Sequence, residues 1–343
     1  MSIHNTETTR IPSERPPRAL ALKKNPPWPE LVAGVRAGDI LSVARMLTLA
    51  ECGNADSRLA LDEIYVSAGR AHVVGITGVP GSGKSTLVAA LTTDIRATGR
   101  KVAIVAIDPS SPYSGGAILG DRIRMGALAG DSGVFVRSMA TRGAMGGLAH
   151  STLDAVDVLD AAGYDVVLIE TVGVGQDEID VARAAHTTIV VSAPGLGDDI
   201  QAIKAGVLEI ADIHVVSKCD RSDAKRAIED LNAMLHLAPE ISRRDKWKVP
   251  VIGTSAEHAE GIDTLMHCID NHWQSLNQTG EISARRTQIN ECRLLKACEE
   301  ILHARFVRQR DGKVAELLAK LDARSTSPHT AAGELLHAIH ANV

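Results

Sequence analysis

The amino-acid sequence predicts an α/β fold: a mostly parallel sheet flanked by helices, with helical extensions at its N- and C-terminal ends. Three observations carry this expectation. Between about residues 71 and 275, short unbroken aliphatic runs alternate with helix-like stretches, the rhythm of parallel strands joined by crossover helices. The first run leads directly into a glycine-rich loop and then into a helix-prone segment. On both flanks, apolar residues recur at helical rather than strand spacing.

A chain of 343 residues exceeds the usual size of one domain, which suits one large core with additions at its ends. Hydrophobic residues make up 45% and charged residues 23%, as in ordinary globular proteins, while 2% aromatic content implies a core packed from Val, Ile, Leu and Ala. The formal charge of −5 offers no broad basic field, so nucleic acid is not the expected partner. Five cysteines, far apart and without a Cys-x-x-Cys pair, indicate neither a disulfide framework nor a zinc site. No apolar run approaches the roughly 20 residues needed to span a bilayer, and the start is polar and proline-bearing rather than a signal peptide. The expected location is therefore the cytoplasm, with no membrane association.

Taken in order, residues 1–27 combine charges with Pro12, Pro16, Pro17, Pro26 and Pro27, and read as a flexible tail. Residues 28–70 read as an N-terminal helical extension, with helical spacing in 31–35 and 40–47 and Asp39 placed to cap the second helix. Residues 71–275 hold the alternating core. Its aliphatic runs are His72 to Thr77, Val102 to Ile107, Val166 to Ile169, Thr188 to Val191, Ile213 to Val216 and Val249 to Gly253. They lack polar alternation, as strands covered on both faces should. Residues 276–343 read as a C-terminal helical extension in which Cys292, Leu295, Cys298, Leu302 and Phe306 form an apolar stripe, followed by helices near 313–322 and 330–341. That stripe suits packing on its own domain or the seam of a homodimer, so the extension is a candidate dimerisation arm.

Gly78-Val79-Pro80-Gly81-Ser82-Gly83-Lys84-Ser85 fits G-x-x-x-x-G-K-[ST] at every fixed position, after an aliphatic strand and before a helix that includes Thr86. This predicts a P-loop NTPase. Glycines let consecutive backbone N–H groups face one anion, and the helix N-terminus adds partial positive charge. Lys84 would bridge the terminal phosphates and Ser85 would ligate Mg2+. Asp108 and Glu170 end later strands, at the sheet edge where parallel α/β proteins bind ligands, and are candidate Mg2+ ligands directly or through water. The turn-rich stretch 109–116 and the glycine-rich stretch 170–177 have the character of switch loops, with the N–H of Gly173 or a neighbour reporting the γ-phosphate.

Ser217-Lys218-Cys219-Asp220 follows the run ending at Val216, where GTPases commonly carry Asn-Lys-x-Asp. Asp220 can accept from guanine N1–H and the 2-amino group, and adenine offers neither donor. Lys218 would lie along base and ribose. Ser217 in place of Asn is expected to weaken the architecture of the pocket more than its reading of guanine. Thr254, Ser255 and Ala256 suit the loop that closes over the base.

With these residues in place the chain resembles the MeaB/ArgK GTPases, which are related to the nickel-insertion GTPases of hydrogenase and urease. The resemblance spans roughly residues 70–275 and extends to the ends of the chain. It rests on the strings 105–111, 115–122, 141–148 and 170–176, of which Gly120-Asp121-Arg122 and Thr141-Arg142-Gly143 are parts. It implies a homodimeric GTPase, using GTP/GDP and Mg2+, that serves as a chaperone of adenosylcobalamin-dependent acyl-CoA mutases such as methylmalonyl-CoA mutase. It further implies that Asp108, Asp121 and Glu170 surround Mg2+. Residues 198–204 would form an extra switch in which Gln201 and Lys204 approach the nucleotide when the partner binds. On residue chemistry alone, Lys204 could equally be a solvated helix lysine. With Lys84, the residues Asp121, Gln201 and Lys204 make up the candidate catalytic set, and hydrolysis is expected to be slow until the mutase engages. A nickel metallochaperone and a P-loop small-molecule kinase are the alternative readings. The first lacks a Cys/His cluster beside the loop, and the second does not need such switch loops.

Overall fold

The structure, a computed structural model, describes residues 27–52, 55–108, 128, 130–140, 150–171, 177–195, 209–237, 243–244 and 247–340. Residues before 27, the segment carrying Asp121, the segment carrying Gly173 and the segment carrying Gln201 and Lys204 lie outside the described residues.

Three helices come first: α1 (Trp28–Arg36), α2 (Ile40–Cys52) and α3 (Ala55–Tyr65). Pro29 stands in the first turn of α1, where it has no helical N–H to lose. Asp39 caps α2 as the sequence suggests, its carboxylate accepting from the Ser42 amide (2.9 Å) and hydroxyl (2.6 Å). Those two bonds hold its acid below the usual carboxylate range.

The core runs β1 (His72–Gly78), α4 (Lys84–Ala97), β2 (Val102–Asp108), β3 (Val134–Ala140), α5 (His150–Ala161), β4 (Val166–Thr171), α6 (Asp177–Ala184), β5 (Thr187–Ser192), β6 (Ile213–Val216) and α7 (Ala224–Leu237). There follow β7 (Arg243–Arg244), β8 (Trp247–Lys248), β9 (Val251–Gly253), α8 (Ile262–Thr279), α9 (Glu281–Arg308), α10 (Lys313–Asp322) and α11 (Pro328–His340). Seven strands make one sheet in the order β3-β2-β4-β1-β5-β6-β9, each neighbouring pair parallel, while β7 and β8 form a separate antiparallel pair.

The unbroken aliphatic runs are explained by burial on both faces. Val73, Ala103, Val105, Val167 and Ile169 join one core cluster with the N-terminal helices, α5 and α6. Val74, Ile76, Ile104, Leu168, Ile189 and Val215, one residue out of phase, join the opposite cluster with α4 and α8. One strand of the seven-stranded sheet was not legible, and one run is shorter as a strand than the sequence suggests. β3 is an edge strand whose Arg137 and Ser138 interrupt the apolar run, and Arg137 pairs with Glu51 of α2 at 3.0 Å. The run Val249 to Gly253 is a strand only over its last three residues.

At the amino ends of β1 and β5, opposite the glycine-rich loop, Thr187 Oγ1 lies 2.7 Å from His72 Nε2 and 2.8 Å from His272 Nδ1. Trp273 stacks on His72 with ring centres 4.4 Å apart.

α9 is held to the body mainly by charge. Arg285 pairs with Asp212, Arg293 with Asp157, and Lys296 with Asp180 at 2.7 Å, while the Arg293 guanidinium sits 5.0 Å above the Tyr65 ring. Ile289 is its one described buried residue. Most of the predicted stripe is exposed, Leu295 at 61% and Phe306 at 42%, while Cys292 is partly buried.

Candidate functional site

β1 ends at Gly78 and the next residues turn into α4. At Gly78 the backbone has φ 139°, and a Cβ there would fall 2.0 Å from the carbonyl oxygen of Val191 on β5. Only glycine lets the two chains approach this closely. Gly83, with φ 86°, is the left-handed residue from which α4 starts, so Lys84 and Ser85 occupy the first helical turn and its amide groups face the loop. Lys84 is buried and its Nζ donates to Gly78 O (2.7 Å) and Val79 O (2.9 Å). Pro80, Gly81 and Thr86 are exposed on the rim, and the hydroxyl of Ser82 is buried without a hydrogen-bond partner among the described residues.

One strand away, Glu170 near the end of β4 accepts the Ser85 hydroxyl proton at 2.6 Å, both side chains being buried. The sheet register sets this meeting, because Glu170 lies beside Ile76 of β1 and Ala106 of β2. Just beyond, Thr171 Oγ1 donates to Thr77 Oγ1 at 3.0 Å and ties the two strand ends together. Asp108 closes β2 on the far side of β4, and its side chain lies outside the described residues. A hydroxyl and a carboxylate are hard oxygen donors, the set that suits Mg2+. Among the described residues no three His, Cys, Asp or Glu side chains gather to hold a metal by themselves. The pair therefore fits an ion that keeps water and phosphate oxygens in its shell.

The loop after β6 is fastened to the glycine-rich loop. Ser217 Oγ donates to Ser82 O (2.5 Å) and Ser192 O (3.0 Å), and Lys218, itself left-handed at φ 55°, donates from Nζ to Gly81 O at 2.7 Å. Asp220 is exposed and accepts from Ser255 Oγ at 2.7 Å. That bond, followed by its own backbone amide, keeps Asp220 ionised to lower pH than an ordinary Asp. Cys219 N donates to Thr254 O at 3.0 Å, joining this loop to the one that carries Ala256. Burial pushes the Cys219 thiol up, so it is not a thiolate at neutral pH. Serine at this place still ties the base loop down, its hydroxyl bracing it against two carbonyls.

A family model described as methylmalonyl-CoA mutase-associated GTPase MeaB matches residues 43–311. The chain belongs to the MeaB family. A putative GTPase of Pyrococcus horikoshii is 46% identical to it over 266 residues, 77% of this chain and 84% of the relative. GTPase ArgK of Escherichia coli is 36% identical over 314 residues, 89% of this chain and 95% of the relative. A crystal structure of an LAO/AO transport system kinase superposes with a TM-score of 0.68 at 29% identity, covering 93% of this chain and all of that one. The fold of this MeaB-family chain is that of a P-loop NTPase.

Within it, the structure brings together Gly78 to Thr86, Glu170, Lys218, Asp220, Ser255 and Ala256 around the carboxyl ends of β1, β4, β6 and β9. Asp121, Gly173, Gln201 and Lys204 are outside the described residues. Three participants went unread in the sequence: Ser192, Thr77 and Thr171. Each sits at a strand end and bonds across strands, and only the register, not local spacing, reveals such a partner.

Proposed function

We propose that this chain is a Mg2+-dependent GTP hydrolase that acts as a chaperone of an adenosylcobalamin-dependent acyl-CoA mutase. The observation that carries the nucleotide reading is the bracing of the base loop onto the phosphate loop by Ser217 and Lys218, which fixes Asp220 relative to Lys84 and Ser85. The family's description supplies the support for the mutase.

In this reading the backbone amides of residues 78–85 and the N-terminus of α4 hold the β- and γ-phosphates, and Lys84 neutralises charge across them. Asp220, pre-aligned by Ser255, receives guanine N1–H and the 2-amino group, with Lys218 along the base and Ala256 in the closing loop. Ser85 and Glu170, joined by Asp108 and Asp121, hold the metal. When bound, Mg2+ supplies positive charge against the phosphate oxygens that gain negative charge in the reaction. Gly173 senses the γ-phosphate, Asp121 helps orient the attacking water, and Gln201 and Lys204 approach the nucleotide when the mutase docks, Lys204 adding positive charge, so the isolated enzyme is slow. Water and GTP yield GDP and phosphate.

In this division residues 28–70 are a helical preface, 71–275 the GTPase domain and 276–343 a C-terminal arm. The exposed stripe of α9 supports a homodimer formed through that arm. No helix among the described residues is long and apolar enough to cross a membrane, in keeping with work in the cytoplasm.

The test is phosphate release from GTP and from ATP, alone and with purified adenosylcobalamin-dependent mutases. GTP turnover at least about tenfold above ATP, the worth of one charge-assisted hydrogen bond, and a further rise with one mutase are expected. Equal use of both nucleotides contradicts the guanine assignment. A rate unmoved by every mutase at saturation contradicts the partner assignment.

A further inference from the structure

The base loop turns its side-chain donors inward. Ser217 Oγ faces Ser82 O and Ser192 O, Lys218 Nζ faces Gly81 O, and Cys219 Sγ faces Val216 O at 3.1 Å. The fourth side chain, Asp220, is an acceptor already ordered by Ser255. A serine hydroxyl has one proton, and here two acceptors that cannot donate share it. The ring nitrogen N7 of guanine is an acceptor as well, so it can engage Ser217 only by taking that proton from the brace. Asparagine at this place would differ in kind, since its amide carries two N–H donors and can hold the loop while offering one to the base.

We propose that residues 217–220 read guanine through its donor edge alone. Asp220 takes N1–H and the 2-amino group, N7 is read by no side chain of residues 217–220, and Ser217 is a positioning residue that locks the base loop to the phosphate loop. The inference rests on the GTP reading above and goes beyond it by naming which atoms of the base decide selectivity. The pocket discriminates against purines lacking the 2-amino group and is indifferent to the atom at position 7.

Calorimetric titration of the full-length chain with Mg2+ and three nucleotides tests this. GTP and 7-deaza-GTP, in which C–H replaces N7, should bind within about twofold of each other. Inosine triphosphate, lacking the 2-amino group, should bind roughly tenfold or more weakly, because one hydrogen bond to a charged acceptor is lost. GTP binding with 7-deaza-GTP about tenfold weaker would overturn the proposal and leave the GTPase reading standing. Inosine triphosphate binding as tightly as GTP would overturn it too, and absence of GTP binding would remove both. In Ser217→Ala the affinities for GTP and 7-deaza-GTP should fall together with their ratio unchanged. A wild-type preference for GTP that vanishes in this variant would put the hydroxyl on N7 and refute the brace. The wild-type comparison decides the question even if the variant does not fold.

Discussion

Replacing Gly78 by Ala probes the point where sheet and site share one constraint. The added methyl would lie 2.0 Å from Val191 O, 2.9 Å from its carbonyl carbon and 3.0 Å from its nitrogen, all main-chain atoms of the paired strand β5. An ordinary carbon–oxygen approach is about 3.3 Å, so the two strand ends must part by about 1 Å. No rotamer change can relieve this. Overpacking of this kind costs about 1–3 kcal/mol. Holding a non-glycine residue at φ 139° costs about 1–3 kcal/mol more. The total of about 2–6 kcal/mol corresponds to a fall in Tm of roughly 5–20 °C for a domain of this size. The displaced loop should also weaken Mg2+-GTP binding about tenfold or more, since its amides no longer converge on one anion. Gly81→Ala is the matched control: its φ is 78° but nothing lies within 4 Å of the new methyl, so only the backbone strain of about 1 kcal/mol remains. Thermal unfolding by far-UV circular dichroism, with and without nucleotide, reads both variants. A Gly78→Ala protein melting within about 2 °C of wild type would refute the steric argument.

Other consequences concern stability and assembly. Asp160, buried on α5, accepts from the amides of Gly69 (2.8 Å), Arg70 (2.9 Å) and Ala71 (3.0 Å), which fix the entry to β1. Asp160→Ala should cost about 3 kcal/mol or more in urea unfolding, and a loss below about 1 kcal/mol would contradict that role. Burial first, then Arg286 and Arg285, depress His186 to about 3, and burial likewise depresses His72. From the ordinary histidine value of about 6.5 down to that folded value, the unfolded chain binds the extra proton, so stability falls as pH falls. The free-energy advantage of wild type over His186→Asn should shrink by about 2 kcal/mol between pH 7 and pH 5, and an unchanged gap would contradict the buried neutral imidazole. If α9 is a dimer seam, Leu295→Glu with Phe306→Glu should yield monomers by sedimentation while leaving Tm at low concentration unchanged. A wild-type monomer at high concentration would remove that reading.

What the sequence made legible follows from how local each cause is. β1, β2, β4, β5 and β6 are apolar on both faces and show as unbroken aliphatic runs, whereas β3 at the edge carries Arg137 and Ser138 and shows as nothing definite. The phosphate loop is readable because steric demands at Gly78 and Gly83 admit one residue type. The meeting of Ser85 with Glu170 could be anticipated because Glu170 near the end of β4 and the turn from β1 into Ser85 lie at the carboxyl edge of one parallel sheet. The role of Ser217 could not, since its partners are main-chain carbonyls that have no sequence signature. How α9 meets the body was not legible for a related reason. Its contact with the body uses Arg285, Arg293 and Lys296, residues that periodicity assigns to solvent, and Leu295, Leu302 and Phe306 of its apolar stripe stay exposed.

The central claim is that the amides around Lys84 and the acceptor at Asp220 together hold one guanine nucleotide. Calorimetric titration of the magnesium-supplemented chain with GTP should give one site per chain, lost in Lys84→Ala and at least about tenfold weaker with ATP. Absence of binding by GTP and GDP, or equal binding of ATP, would contradict it.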